Sequence, residues 1–217
     1  MFARLPRKFA RLSRLGVLAL ALGFAVALAG RAEAAEISIT WLGHASFEVV
    51  SPGGTTLLLD PFITKNPKTP KAMKDLARYK PDAILVTHSH GDHIADAAAI
   101  AKASGAKVIG VSDHLRGMDL EKKAALRANP GGKHKVGDVT VHLVPAMHAS
   151  TPGGRPVGFV IEFADGRTLY DTGDTWIFGD MALIQEIFRP EIILLQAGGG
   201  PYNQEPKIAT LAIKKYF

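Results

Sequence analysis

The stretch AILVTHSHGDH, residues 83–93, places three histidines and an aspartate within six positions, directly after a short apolar run. Ala83 to Val86 read as a buried strand, and IADAAAIAKASG at 94–105 reads as an Ala-rich helix ending at Gly105. Residues at i and i+2 of extended chain face the same side, so His88 and His90 can hold one ion from the loop after the strand. Gly91 permits a tight turn, after which Asp92 and His93 open the helix and face a second position close by. Spacing and placement make this half of a two-metal site rather than a polar loop that happens to contain histidine.

Working outward, ISITWL, SFEVVS and TTLLLD (37–60) are short apolar or alternating runs, the last two joined by Pro52 to Gly54 as a hairpin turn. NPKTPK at 66–71 is a loop whose prolines forbid regular structure. AKVIGV at 106–111 is the next strand, a helix is expected near 113–128, and NPGG closes that segment. Alternation returns in VTVHLV, GFVIEF and RTLY; DMALIQEIF then reads as a helix, EIILLQ as a strand and EPKIATLAIKKYF as a helix. This order predicts an α/β domain of two mixed sheets packed face to face, with helices outside.

The net charge of +6 resembles that of a nucleic-acid binder. Its location argues otherwise. Six of the 26 basic residues and one of the 20 acidic ones lie in the first 34 positions, which leaves the remainder at +1. That segment combines a basic start, the apolar run LGVLALALGFAVALAG and the small-residue site AEA, the pattern of a secretory signal peptide over 1–34 with cleavage before Ala35. The run is about 16 residues, short of the ~20 that span a bilayer. The expectation is a periplasmic or secreted domain over 35–217, with no nucleic-acid partner and no membrane attachment after cleavage. The chain has no cysteine, so a metal site must come from histidine and carboxylate alone.

Further ligands lie in two other strand-end loops, PAMHAS with His148 and YDTGDTW with Asp171 and Asp174. The ordered set WLGHASFEV, LLLDPF, NPKTP, THSHGDH, PAMHAS, YDTGDT and DM resembles the metallo-β-lactamase fold, and most of all its branch of small metal-dependent hydrolases similar to ascorbate-phosphate lactonase. The resemblance covers 37–217 and implies a four-layer αβ/βα sandwich with the site on the edge between the sheets. It implies His88, His90 and His148 as ligands of a first metal, Asp92 and His93 as ligands of a second, and Asp174, in the family's Gly-Asp-Thr pattern, as the bridge. Asp60 corresponds to an aspartate that orients the histidine loop by hydrogen bonds, and His44 either contacts substrate or supports a ligand. Asp92, His44 and Asp60 are the candidates for catalytic roles.

Two departures from the family pattern stand out. Members carry one more histidine after a further strand, and this sequence ends at Phe217, which implies a C-terminally incomplete domain, a missing last strand and a weakened second metal site. LLQAGGGPYN at 194–203 stands where the family has an apolar-Pro-Ile-Gly-Gly pattern. Imidazole and carboxylate ligands outside the cytoplasm favour two Zn2+ ions, while Mn2+ or Fe2+ could bind the same set. The expected activity is hydrolysis of an ester, lactone or phosphodiester in a small molecule by hydroxide generated at the metal. Lys65, Lys68 and Arg155 are expected to be solvated rather than to grip a phosphate. The competing class is a non-catalytic periplasmic metal-binding protein, or an inactive truncated hydrolase. His114 and His134 are expected in polar surroundings, His142 on the less buried side of its strand, and Trp41 and Trp176 as packing residues, Trp176 being also a candidate to line the pocket.

Overall fold

A computed structural model describes residues 36–217; the signal peptide expected over 1–34 lies outside the described residues. Two sheets carry the fold. The first has six strands in chain order: β1 (Ser38–Gly43), β2 (Ser46–Val50), β3 (Thr56–Leu59), β4 (Ala83–Leu85), β5 (Lys107–Gly110) and β6 (Ala125–Arg127). The second has five, in the order β11 (Ile192–Leu194), β10 (Thr168–Asp171), β9 (Val157–Glu162), β8 (Val139–Pro145) and β7 (Lys133–Val136). Antiparallel hairpins give way to parallel pairs in both, so both are mixed.

Period-two patterning decides which residues meet. Leu57 and Leu59 of β3, Ala83 and Leu85 of β4, Val139, Val141 and Leu143 of β8, and Phe159 and Ile161 of β9 form the layer between the sheets. Leu58 and Ile84 point the other way, toward Ile100 and Ala101 of a covering helix, so β3 and β4 are apolar on both faces, as buried parallel strands require. On the outer face of the second sheet, Tyr170 and Val160 pack with Ile184. His142 lies on that side too, hydrogen-bonded to Glu162 at 3.1 Å, as its alternating strand predicts.

The helices are α1 (Gly91–Ile94), α2 (Ala97–Ser104), α3 (Ser112–Arg116), α4 (Met181–Phe188) and α5 (Pro206–Tyr216). Among the described residues none is long and apolar enough to cross a membrane. The single helix expected over 94–105 is broken at Asp96. Its amide bonds to Pro61 O at 3.0 Å instead of continuing the helix, and its carboxylate accepts from the amides of Ile63 and Thr64 at 2.6 and 2.9 Å. The end at Gly105 holds, with φ +77 closing α2. The helix expected near 113–128 shrinks to α3, because 125–127 pairs with the edge of β5 as a parallel strand. β7, the short basic strand KHKV, was not foreseen.

Away from the strand ends that carry the histidines, Asp138 between β7 and β8 ties the two sheets together. Its carboxylate accepts from Ser51 Oγ at 2.6 Å, from the Gly53 amide at 3.0 Å and from Thr55 Oγ1, all in the turn between β2 and β3. Gly137 has φ +52, and a Cβ there would stand 2.1 Å from Thr55 Oγ1, so the clasp requires glycine beside it.

Candidate metal centre

The loop after β4 is anchored from below. Asp60, 1% exposed and at φ +39, accepts from the Thr87 amide at 2.8 Å through Oδ1, and from Thr87 Oγ1 at 2.5 Å and His93 Nδ1 at 2.7 Å through Oδ2. The Thr87 hydroxyl hydrogen is committed to Asp60, so the contact of Thr87 Oγ1 with His88 Nδ1 at 3.0 Å requires the proton to sit on Nδ1. His88 and His93 therefore both turn Nδ1 toward the scaffold and Nε2 toward the site. Asp60, one of the catalytic candidates, is buried with both carboxylate oxygens engaged by Thr87 and His93, a place from which it orients the loop.

His88 Nε2 lies 2.9 Å from His90 Nδ1, and His88, His90 and His148 each offer a ligand atom within 4.8 Å of the others. A second group, His44, Asp92 and His93, meets the same limit. Asp174 stands between them, its Oδ2 3.5 Å from His93 Nε2 and 3.6 Å from His148 Nε2, ion-pair distances too long for good hydrogen bonds. A third group, Asp60, His88 and His93, is also close, but its inward-facing nitrogens are occupied by the hydrogen bonds just described. All six residues expected as ligands are thus gathered at one place, with His44 beside Asp92.

Gly173 explains how the Asp174 turn fits. At φ +56, a Cβ there would meet Val157 O at 2.8 Å and Thr87 Cβ at 2.9 Å, so only glycine lets this turn lie against the histidine loop. Asp171, the alternative in the same motif, is buried; Gly173 N donates to its Oδ1 at 3.2 Å, and burial, aided by the charge of Asp60, pushes it up to about 8. His44 follows a register shift in β1 between Trp41 and Gly43 and sits at φ +54, which turns its ring toward the site, Nε2 donating to Asp92 Oδ2 at 3.0 Å.

The electrostatics are those of a ligand cluster. Burial and the neighbouring histidines take His88 down to about 2, so it is a neutral donor. Burial also opposes charge on His93, but Asp60 and Asp174 on either side outweigh it and push His93 up to about 10. Burial lowers His148 as well. The hydrogen bond from His44 holds Asp92 well below the ordinary carboxylate range. Burial works against the charge of Asp174, yet His93 and the other histidines keep it lowered. His93 Nε2 is buried and has no hydrogen-bond partner among the described residues, the signature of a nitrogen placed for another acceptor of its lone pair. Residues and surroundings therefore fit divalent cations.

Two contributions escaped sequence reasoning. Thr87 fixes the tautomer of His88, and a lone threonine before a histidine carries no signal of that. His114, expected in polar surroundings, is 1% exposed; its Nε2 contacts Ser150 Oγ at 3.2 Å, which in turn contacts Ser89 Oγ at 2.8 Å and so joins the loops of His88 and His148. Trp41 and Trp176 are both more than half exposed and so are not packing residues.

Residues 55–213 match the profile of the beta-lactamase superfamily domain. The chain is 42% identical over 172 residues to a UPF0173 metal-dependent hydrolase of Rubrobacter xylanophilus, covering 74% of this chain and 69% of the relative. It is 40% identical over 190 residues to another from Myxococcus xanthus, covering 81% and 67%. A solved metallo hydrolase of the hyperthermophilic archaeon Ignicoccus hospitalis superposes with TM-score 0.71 at 33% identity, covering 82% of this chain and 77% of that one.

Proposed function

Because the chain belongs to the beta-lactamase superfamily and is a metal-dependent hydrolase, we propose that it cleaves an ester, lactone or phosphodiester bond of a small molecule at two divalent cations, zinc by preference, outside the cytoplasm. The observation that carries this reading is the convergence of His88, His90 and His148 within 4.8 Å, next to a second group that shares the same edge. The first cation would be held by His88, His90 and His148, the second by Asp92 and His93, with Asp174 reaching both. When bound, such cations bring the pKa of coordinated water toward neutrality and stabilise negative charge as it develops.

The chain's own groups do the rest. Asp60 and Thr87 keep the protons of His88 and His93 on Nδ1, so both Nε2 atoms are presented without reorganisation. His93 gives up its Nε2 proton on becoming a ligand, which makes loading depend on pH. His44 Nε2 donates to Asp92 Oδ2 at the exposed face of the site, where it would offer a proton to a departing group. Imidazole and carboxylate without thiolate support zinc, and Mn2+ or Fe2+ suit the same donors.

The test is metal content by mass spectrometry of the purified chain, together with hydrolysis of para-nitrophenyl acetate, a γ-lactone and bis(para-nitrophenyl) phosphate, with His90→Ala as control. Bound metal with turnover that His90→Ala abolishes is expected. Turnover indifferent to that substitution, or a chain that binds no metal, would refute the proposal.

A further inference from the structure

We propose that a second pocket beside His148 binds an uncharged ring bearing a hydroxyl or N–H group, carried by the part of the substrate that flanks the bond to be broken. This deepens the hydrolase reading and rests on it. The pocket is about 280 Å³ and is lined by Met147, His148, Thr175, Trp176, Tyr202 and Gln204 among others. One wall is therefore a residue expected to hold the first cation.

Three observations point to this occupant. Trp176 is 54% exposed and Tyr202 79% exposed, in a chain where aromatic residues are only 7% of the total, and Met147 beside them is also exposed. Aromatic side chains left in water at the rim of a site offer faces for another ring. The backbone beneath them is fixed: Trp176 N donates to Met147 O at 2.9 Å, Met147 N to Thr175 Oγ1 at 2.9 Å, and Gln204 Nε2 to Gln196 O at 3.2 Å. The rim is thus built before any ligand arrives, which lowers the ordering cost of binding.

The polar groups set the charge of the guest. Gln204 is 3% exposed, and its Oε1 is buried with no hydrogen-bond partner among the described residues; Asn203 Oδ1 is in the same state. Both are acceptors, so both call for a donor on the ligand. No Lys or Arg lines this pocket, nor the larger one of about 310 Å³ that runs from His44 past Asp174 to Leu194. A negatively charged group on the ring would face carbonyl oxygens here with no Lys or Arg to offset it, which is unfavourable. A hydroxyl or amide N–H on a ring would instead satisfy Gln204 while the ring lies against Trp176.

The experiment uses the full chain and does not depend on turnover. Isothermal titration calorimetry with para-hydroxyphenylacetamide, an inert neutral probe, is expected to show binding that Trp176→Ala weakens by about tenfold, the loss of one good aromatic contact. Tyr202→Ala should weaken it in the same direction, and Gln204→Leu should erase the preference over phenylacetamide lacking the hydroxyl. Both aromatic positions are exposed, so neither variant threatens the fold. In the metal-loaded chain, Trp176→Ala should raise KM for methyl para-hydroxyphenylacetate by more than it raises that for methyl acetate. Unaltered probe binding in Trp176→Ala would overturn the inference. Probe binding that Trp176→Ala weakens, in a chain that hydrolyses none of the test esters, would support the ring pocket and overturn only the choice of bond made above.

Discussion

Replacing Asp60 by Asn tests whether the histidine loop is held from beneath. The amide keeps the shape and one acceptor oxygen, so the Thr87 amide can still be satisfied, but the position facing Thr87 Oγ1 at 2.5 Å and His93 Nδ1 at 2.7 Å becomes an NH2 group that cannot accept. Two donors are stranded at a site that is 1% exposed. A buried pair broken on one side costs about 3 kcal/mol or more, and for a domain of this size that is a fall of roughly 6–12 °C in Tm. The local consequence is sharper: with Asp60 neutral, nothing holds the His88 and His93 protons on Nδ1, and loss of such a partner typically costs about 10–100-fold in metal affinity. Thermal unfolding by circular dichroism reads the first effect and competition with a zinc chelator reads the second. A variant that keeps its Tm within about 2 °C and its zinc affinity within about twofold would refute the view that Asp60 orients the ligands.

Ser150→Ala should cut the link among His114, Ser89 and the His148 loop; zinc competition should show weaker first-site binding, while the fold survives with a loss of about 1–2 kcal/mol in urea melts. Asp138→Asn should weaken the clasp between the sheets in a pH-dependent way. Burial opposes the charge of Asp138, but Ser51, Thr55 and Gly53 outweigh it and hold the carboxyl below its ordinary value. The clasp therefore contributes fully above the unfolded pKa of about 3.9 and is lost as pH falls through the lower folded value. Urea melts of parent and variant should differ at pH 7 and converge in strong acid; a gap that widens on acidification would contradict this.

Legibility from the sequence tracked how local the information was. The histidine loop announced itself because four ligand-type residues and their strand are contiguous, and β3 and β4 because both of their faces are apolar. The helix expected over 94–105 failed at Asp96, whose break is caused by a loop thirty residues earlier in the chain. The strand at 125–127 was hidden because ALR has no strand pattern of its own; the open edge of β5 recruits it. His114 has a polar partner in Ser150, as expected, but its burial was not legible for the same reason: its ring is enclosed by segments near Gly154 and Ser150 that lie far along the chain. Whether a lone histidine is buried depends on what folds over it, and period and spacing do not encode that.

The clasp at Asp138 has a counterpart at the site. His88, His90, Asp92 and His93 extend from the first sheet, while His148 and Asp174 extend from the second, so any cation they share is a bond between the two halves of the sandwich. In a chain without cysteine, such an ion takes the place of a covalent staple, with the difference that a chelator or a metal-poor medium can withdraw it. The lifetime of the molecule against proteases would then follow the metal supply around it, and scarcity would clear the protein as well as silence it.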